Sequence, residues 1–170
     1  LAYVGGGGLA LSWFRDRFAG EVPDNPASRE ALYEALVGEA LRVPAGAEGL
    51  FFSPHLGGRI CPADPGRRGA WHGFSWGHTR AHFFRSILES VAFEYSTYLE
   101  ILESLAPGLD RIEARVVGGG ARSQGWNQIK ADVLGVPYRR LARSDIATWG
   151  SAIVAGHAVG LIPDMAETAA

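Results

Sequence analysis

Residues 116–129 read VVGGGARSQGWNQI and join an apolar run to three consecutive glycines. The apolar positions before the glycines alternate as in a strand, and those after them recur at helical spacing. The segment therefore predicts a strand, a glycine turn and a helix. Glycines let a ligand approach the backbone and helix N-termini attract anions, so the turn is a candidate phosphate or nucleotide site. An ordinary turn that needs glycine for its dihedral angles fits this segment equally well.

A second segment of the same kind lies at the start of the chain. Residues 1–4 are apolar and predict a strand, residues 5–8 are all glycine, and apolar residues at helical spacing follow from Leu9 to Phe18. Two helices that each begin at a glycine turn favour a ligand cleft shared by both turns.

The remaining chain alternates predicted helices with short predicted strands. Helices are predicted over 28–42, 79–105 and 147–160, and strands over 49–53 and 136–141. Thr79 is the predicted N-cap of the longest helix. Residues 54–77 are rich in proline and glycine and predict a long loop that is functional or covers a neighbouring segment. The helix at 28–42 is interpreted as peripheral packing. This alternation predicts an α/β layered fold.

Composition restricts the class of protein. A chain of 170 residues with 47% hydrophobic and 20% charged residues predicts one globular domain. The formal net charge of −2 argues against a nucleic-acid partner. The sequence has no apolar run of membrane-spanning length and no secretory signal, so we expect a cytoplasmic protein without a membrane partner. Its single cysteine, Cys61, argues against a CxxC metal site. Because the sequence begins at Leu1 rather than Met, we expect it to be part of a longer protein.

Several common motifs do not fit. Ser123 stands where a dinucleotide-binding fingerprint needs its third glycine, and the only lysine, Lys130, lies inside a predicted helix and not after a P-loop glycine. His78 and His82 share a helix face but lack the glutamate of a zinc-binding HExxH motif, so we expect them to form hydrogen bonds at the helix start. Arg85 and Glu89 are predicted to form an intrahelical ion pair.

Three ordered motifs resemble the C-terminal domain of the FGGY family of carbohydrate kinases, especially its xylulokinase-like members. The motifs are GAWHG at 69–73 followed by His82-Phe83 and 86–89, GGGARS at 118–123 with Trp126, Ala131-Asp132 and Leu134-Gly135, and GGG at 6–8 followed by WFRD at 13–16. Phe74 departs from the family pattern, which usually has an aliphatic residue there. The likeness extends from Gly6 to Gly160.

This resemblance implies a ribonuclease-H-like fold of the actin type, with a mixed sheet flanked by helices and ATP bound in a cleft. It implies that Gly8 approaches the ATP phosphates, that Leu11 and Ser12 line the nucleotide, and that Gln124 lies by the base. It further implies that the adenosine is bordered by Gly119, Gly120 and Ala121. Mg²⁺ is expected with ATP, but no metal ligand is identified in this chain.

The resemblance also implies that part of the catalytic machinery lies elsewhere. Family members use an aspartate as the base and hold the sugar chiefly through an N-terminal lobe, whereas Asp16, Asp110 and Asp132 are interpreted as surface or structural residues. No catalytic residue is therefore assigned. We expect residues 1–170 to form the nucleotide-binding lobe of a kinase for a pentulose or related sugar or polyol, inactive as an isolated chain.

Two other interpretations stay open at this point. The same fold could bind ADP or a partner as a regulatory module without transferring phosphate, or it could serve as a structural lobe for homodimer contacts. Nucleotide titration separates binding from pure assembly.

Overall fold

The computed structural model describes residues 4–21, 24–108, 113–142 and 145–169. Six helices and four short strands lie within these ranges. The helices are α1 Gly7–Phe18, α2 Pro26–Leu41, α3 Arg80–Leu105, α4 Gln124–Leu134, α5 Ile146–Ala158 and α6 Met165–Ala169. The strands are β1 Phe51–Ser53, β2 Ala70–His72, β3 Ala114–Val116 and β4 Tyr138–Arg140. Single 3₁₀ turns occupy Ala47–Gly49 and Gly119–Ala121.

Helix α3 is the centre of the hydrophobic core. Its long apolar face packs against α1, α2, α4 and β1, as the helical spacing of its large apolar residues predicts. Thr79 begins the helix as predicted, in a capping box with the His82 side chain. The core residues come from all of these elements: Leu11, Phe14, Leu36, Val37, Phe52, Phe84, Ile87, Leu88, Val91, Trp126 and Ile129. Helices α1 and α4 both pack against α3, and Gly8 of α1 and Trp126 of α4 line the same space.

The strands form two separate pairs in the described ranges. β1 and β2 are antiparallel, with Phe52 opposite Trp71, whereas β3 and β4 are parallel, with Ala114 opposite Tyr138. Helix α4 connects the parallel pair, so β3, α4 and β4 form a βαβ unit. The glycine turn at 118–120 follows the carboxyl end of β3, where ligands commonly bind in α/β proteins.

Several details differ from the sequence-based predictions. The predicted loop 54–77 contains β2. This strand has only three residues, too few for an alternating pattern to reveal it, and its position is fixed by pairing with β1. The short helix α6 was not predicted. The strand predicted at residues 1–4 lies outside the described residues except for Val4, which is not in a strand.

A buried ion pair links α3 to a neighbouring loop. The predicted pair between Arg85 and Glu89 is confirmed, with 2.6 Å between Arg85 Nε and Glu89 Oε1. Both residues are buried, and Glu89 also accepts a hydrogen bond from the Gly46 N–H at 3.0 Å. The pair therefore connects α3 to the turn before β1.

Within the described ranges, no helix combines the length and the apolar character that a membrane span requires.

Candidate functional site

The two glycine turns line one cleft of about 340 Å³. Helix α1 contributes one wall, the turn before α4 the second, and α2 the third. The lining residues are Gly8, Leu11, Ser12, Arg15, Glu30, Tyr33, Gly119, Gly120, Arg122 and Trp126. Five of the seven candidate residues from the sequence therefore surround a single space.

The other two candidates, Ala121 and Gln124, line a neighbouring cleft of about 440 Å³. This second cleft lies along α4 and β4, and Tyr138 contributes to its wall. Arg122 lines both clefts, so the two spaces adjoin at this side chain. The assignment of all seven residues to a nucleotide stays a prediction.

At four positions of the two turns, the structure of the chain itself explains why the residue is glycine. Gly6 and Gly118 have φ angles of 88° and 84°, which side chains rarely adopt. A Cβ at Gly7 would lie 3.3 Å from Val91 Cγ2, and one at Gly120 would lie 2.8 Å from Trp126 Cζ3. Backbone conformation or close packing therefore accounts for these four positions.

Neither backbone conformation nor close packing explains the glycines at positions 8 and 119. A Cβ at either position would meet no protein atom within 4 Å, and neither residue has a positive φ. Both are exposed and both line the 340 Å³ cleft. Nothing in the packing of the chain requires glycine at these two positions, whereas a ligand in close contact with the backbone would require it.

The two turns lead into their helices differently. Helix α1 begins directly at Gly7, so its N-terminal amide groups lie beside the cleft. The prediction that α4 directly follows the glycines is wrong, because Gly119–Ala121 form a 3₁₀ turn and α4 begins at Gln124. The Ser123 side chain caps α4 by accepting a hydrogen bond from the Trp126 N–H at 3.5 Å.

Arginines outnumber carboxylates among the described residues that line the 340 Å³ cleft. Arg15 and Arg122 contribute two guanidinium groups, and Glu30 is the single carboxylate among the described residues that line it. The guanidinium of Arg15 also forms an ion pair with Asp16 at 2.7 Å, which lowers the pKa of Asp16. Burial raises the pKa of the Tyr33 hydroxyl, so this side chain adds no charge to the cleft.

Sequence reasoning missed the side chains that α2 contributes. Helix α2 was interpreted as peripheral, yet its Glu30 and Tyr33 line the cleft. Tyr33 lies on the same helical face as Leu36, Val37 and Ala40, which the 3.6-residue period makes visible. The period does not show that the N-terminal end of this face borders a cleft.

The histidines at the start of α3 form hydrogen bonds, as expected. The Thr79 N–H donates to His82 Nδ1 at 3.1 Å, and the Ser75 N–H donates to His78 Nδ1 at 2.9 Å. His82 Nε2 lies 3.3 Å from a carboxylate oxygen of Glu48. Within the described part of the chain, no group of three or more His, Cys, Asp or Glu residues has the arrangement of a metal site.

Asp16 and Asp132 do not line the 340 Å³ cleft. Asp16 pairs with Arg15 on α1, and Asp132 accepts a hydrogen bond from Gln128 at 2.7 Å. Asp110 lies outside the described residues.

Comparison with known proteins gives one consistent family. Residues 4–159 match the FGGY family of carbohydrate kinases, C-terminal domain. The chain is similar to a gluconokinase of Bacillus subtilis, with 36% identity over 134 residues, which are 76% of this chain and 26% of the relative. It is also similar to a xylulose kinase of Staphylococcus epidermidis, with 30% identity over 154 residues, which are 90% of this chain and 29% of the relative.

A solved structure indicates the same family. The crystal structure of xylulose kinase from Rhodospirillum rubrum has 34% sequence identity and a TM-score of 0.68, over 85% of this chain and 29% of that one. The chain thus spans less than a third of the length of these relatives. The likeness confirms the predicted α/β fold of the ribonuclease-H-like, actin-type class.

Proposed function

We propose that this chain, which belongs to the FGGY family of carbohydrate kinases as its C-terminal domain, is the nucleotide-side lobe of an ATP-dependent carbohydrate kinase. The observation that carries the proposal is the shared cleft of the two glycine turns. Gly8 and Gly119 come from distant parts of the chain, line the same space, and are not explained by conformation or packing.

The residues around the cleft fit a nucleoside triphosphate. Gly8 and Gly119 leave room for phosphate oxygens at the backbone, beside the N-terminal end of α1. The guanidinium groups of Arg15 and Arg122 complement negative charge. The apolar side chain of Leu11 and the ring of Trp126, which line the same cleft, suit the ribose.

The adjoining cleft extends the site toward the base. Ala121 and Gln124 line it, and Arg122 stands between the two spaces. ATP would supply the transferred phosphoryl group and Mg²⁺ would accompany it. Residues of this chain bind and orient the nucleotide. We assign the base aspartate and the sugar site to a part of the protein outside this chain.

The names of the relatives indicate only a broad class of phosphate acceptor. The relatives are a gluconokinase and two xylulose kinases. We therefore propose a hydroxyl of a pentulose or a related sugar or polyol as the acceptor. A cytoplasmic location stays a prediction.

The chain alone tests this assignment. We expect calorimetric titration to show one ATP or ADP site per chain, and we expect no phosphorylated product when ATP is supplied with D-xylulose or D-gluconate. Positioning both substrates accounts for most of kinase catalysis, and this chain is proposed to position only one of them. Far-UV circular dichroism verifies that the sample is folded. A folded chain that binds no nucleotide would contradict the nucleotide role, and turnover of either sugar would contradict the assignment of a single lobe.

Arg122→Gln should weaken ATP binding by about tenfold, the usual value of one charge-assisted hydrogen bond. Because the contact is expected with phosphate, adenosine binding should change little, and the salt dependence of ATP binding should decrease. Isothermal titration calorimetry with ATP and with adenosine, each at two salt concentrations, measures the two affinities and their salt dependence. Arg139→Gln is the matched control, since Arg139 is exposed, lies 3.7 Å from the carboxylate of Glu113 and lines neither cleft. Equal losses for ATP and adenosine would contradict a phosphate contact.

A further inference from the structure

Lys130 is the only lysine in the sequence and is buried within α4, with 6% of its surface exposed. Its Nζ lies 3.9 Å from the centroid of the Trp126 ring and 5.6 Å from that of Tyr138. It donates a hydrogen bond to Asn127 Oδ1 at 3.2 Å. Among the described residues, no carboxylate forms a salt bridge with it.

This environment is costly for a charged group. Burial lowers the pKa of Lys130 to about 8, because the ammonium loses hydration and gains only ring faces and an amide oxygen in return. A methionine of similar length would fill the same space without that cost. The stability of the fold therefore does not explain why a lysine occupies position 130.

The hydrogen bonds of Asn127 provide an explanation for the lysine. An ammonium can only donate, so Asn127 must present Oδ1 to Lys130 and direct its NH₂ group elsewhere. That group donates to the carbonyl oxygen of Ala121 at 2.8 Å. Ala121 is the last residue of the turn Gly119–Ala121, so Lys130 fixes the orientation of the amide that holds this turn.

Trp126 provides a second connection. The ammonium lies over its ring, and the same ring closely approaches Gly120, where a Cβ would be 2.8 Å from Cζ3. The indole N–H donates to the Leu88 carbonyl oxygen of α3 at 3.0 Å. Trp126 also lines the 340 Å³ cleft. Lys130 thus contacts both side chains that support the turn.

We propose that Lys130 is a positioning residue for nucleotide binding, which holds the turn Gly119–Ala121 in its binding shape through Asn127 and Trp126. The inference rests on the proposed function and extends it, because Lys130 itself lines neither cleft. Its role is to preserve the shape of the wall that the nucleotide contacts.

Lys130→Met tests the proposal in this chain. We expect ATP affinity to fall by about tenfold, while the melting temperature stays equal or rises because a buried charge has been removed. Hydrogen exchange of the Ala121 and Arg122 amides, which donate to Gly118 and Gly119 carbonyl oxygens, should become faster without nucleotide.

Asn127→Leu tests the proposed route, and because Asn127 also lines the 440 Å³ cleft, the exchange of the Ala121 and Arg122 amides must become faster in this variant too. If Lys130 acts through Asn127, this variant should lose a similar factor in ATP affinity, and the double variant should lose little more than either single variant. For Lys130→Met, a fall in melting temperature that parallels the loss of affinity would overturn the proposal, as would unchanged affinity with unchanged exchange. If the unmodified chain binds no ATP, the proposed function fails, whereas the exchange measurement still decides whether Lys130 holds the turn.

Discussion

Gly8→Asp should reduce ATP binding by at least about a hundredfold without destabilising the domain, because like charges brought together at a binding site cost several kcal/mol. A side chain at Gly8 meets no protein atom within 4 Å, and it would project beside the cleft from the first turn of α1. Aspartate in the first turn of a helix is favourable and glycine in a helix is not. The same carboxylate would repel a triphosphate.

Titration calorimetry and thermal unfolding measure the two effects separately. Gly8→Ala separates the effect of charge from that of size, since its methyl group should raise the free energy of unfolding by about 0.5–1 kcal/mol and should weaken ATP binding less than the carboxylate does. Leu9→Asp is the matched control, because it puts the same charge on the adjacent residue, which is 73% exposed and does not line the 340 Å³ cleft. Normal ATP binding by Gly8→Asp, or an equal loss in Leu9→Asp, would contradict a phosphate site at Gly8.

Arg85→Ala should lower the free energy of unfolding by about 3–5 kcal/mol, because it leaves a buried charge without its partner. Glu89 is 3% exposed and would keep only the hydrogen bond from the Gly46 N–H. Urea unfolding monitored by circular dichroism measures the change.

A matched control exists on the same helix. Arg80 forms an ion pair with Glu39 at 2.7 Å, but its side chain is 44% exposed and that of Glu39 is 32% exposed. Arg80→Ala should therefore cost less than about 1 kcal/mol, as solvated pairs usually do. Similar losses in the two variants would show that burial does not determine the strength of the Arg85–Glu89 pair.

The long periodic elements were predictable from the sequence. Helix α3 carries an apolar face over seven turns and a clear N-cap at Thr79, so local pattern and tertiary packing agree. The strand β2 was not predictable in this way, because it has three residues and is fixed by pairing with β1. Short strands depend on their partners more than on their own pattern.

The candidate site was predictable in its backbone and not in its side chains. Two glycine turns and the family resemblance indicated the cleft wall at Gly8 and Gly119. The contributions of Glu30 and Tyr33 depend on how α2 packs beside α1 and the 3₁₀ turn, which no local pattern encodes. Lys130 shows the same limit. Its spacing places it over Trp126, but its burial also requires Tyr138 from β4.

The most direct measurement is an amide chemical-shift titration of the isotopically labelled chain with Mg²⁺ and ATP. If the two turns form one nucleotide site, the amide signals of Gly8 and Gly119 should shift together and give the same dissociation constant. The amide of Gly46, which lies in the turn before β1 and lines neither cleft, should stay unchanged. Shifts confined to one turn, or no shift at either turn at saturating ATP, would contradict a shared nucleotide site.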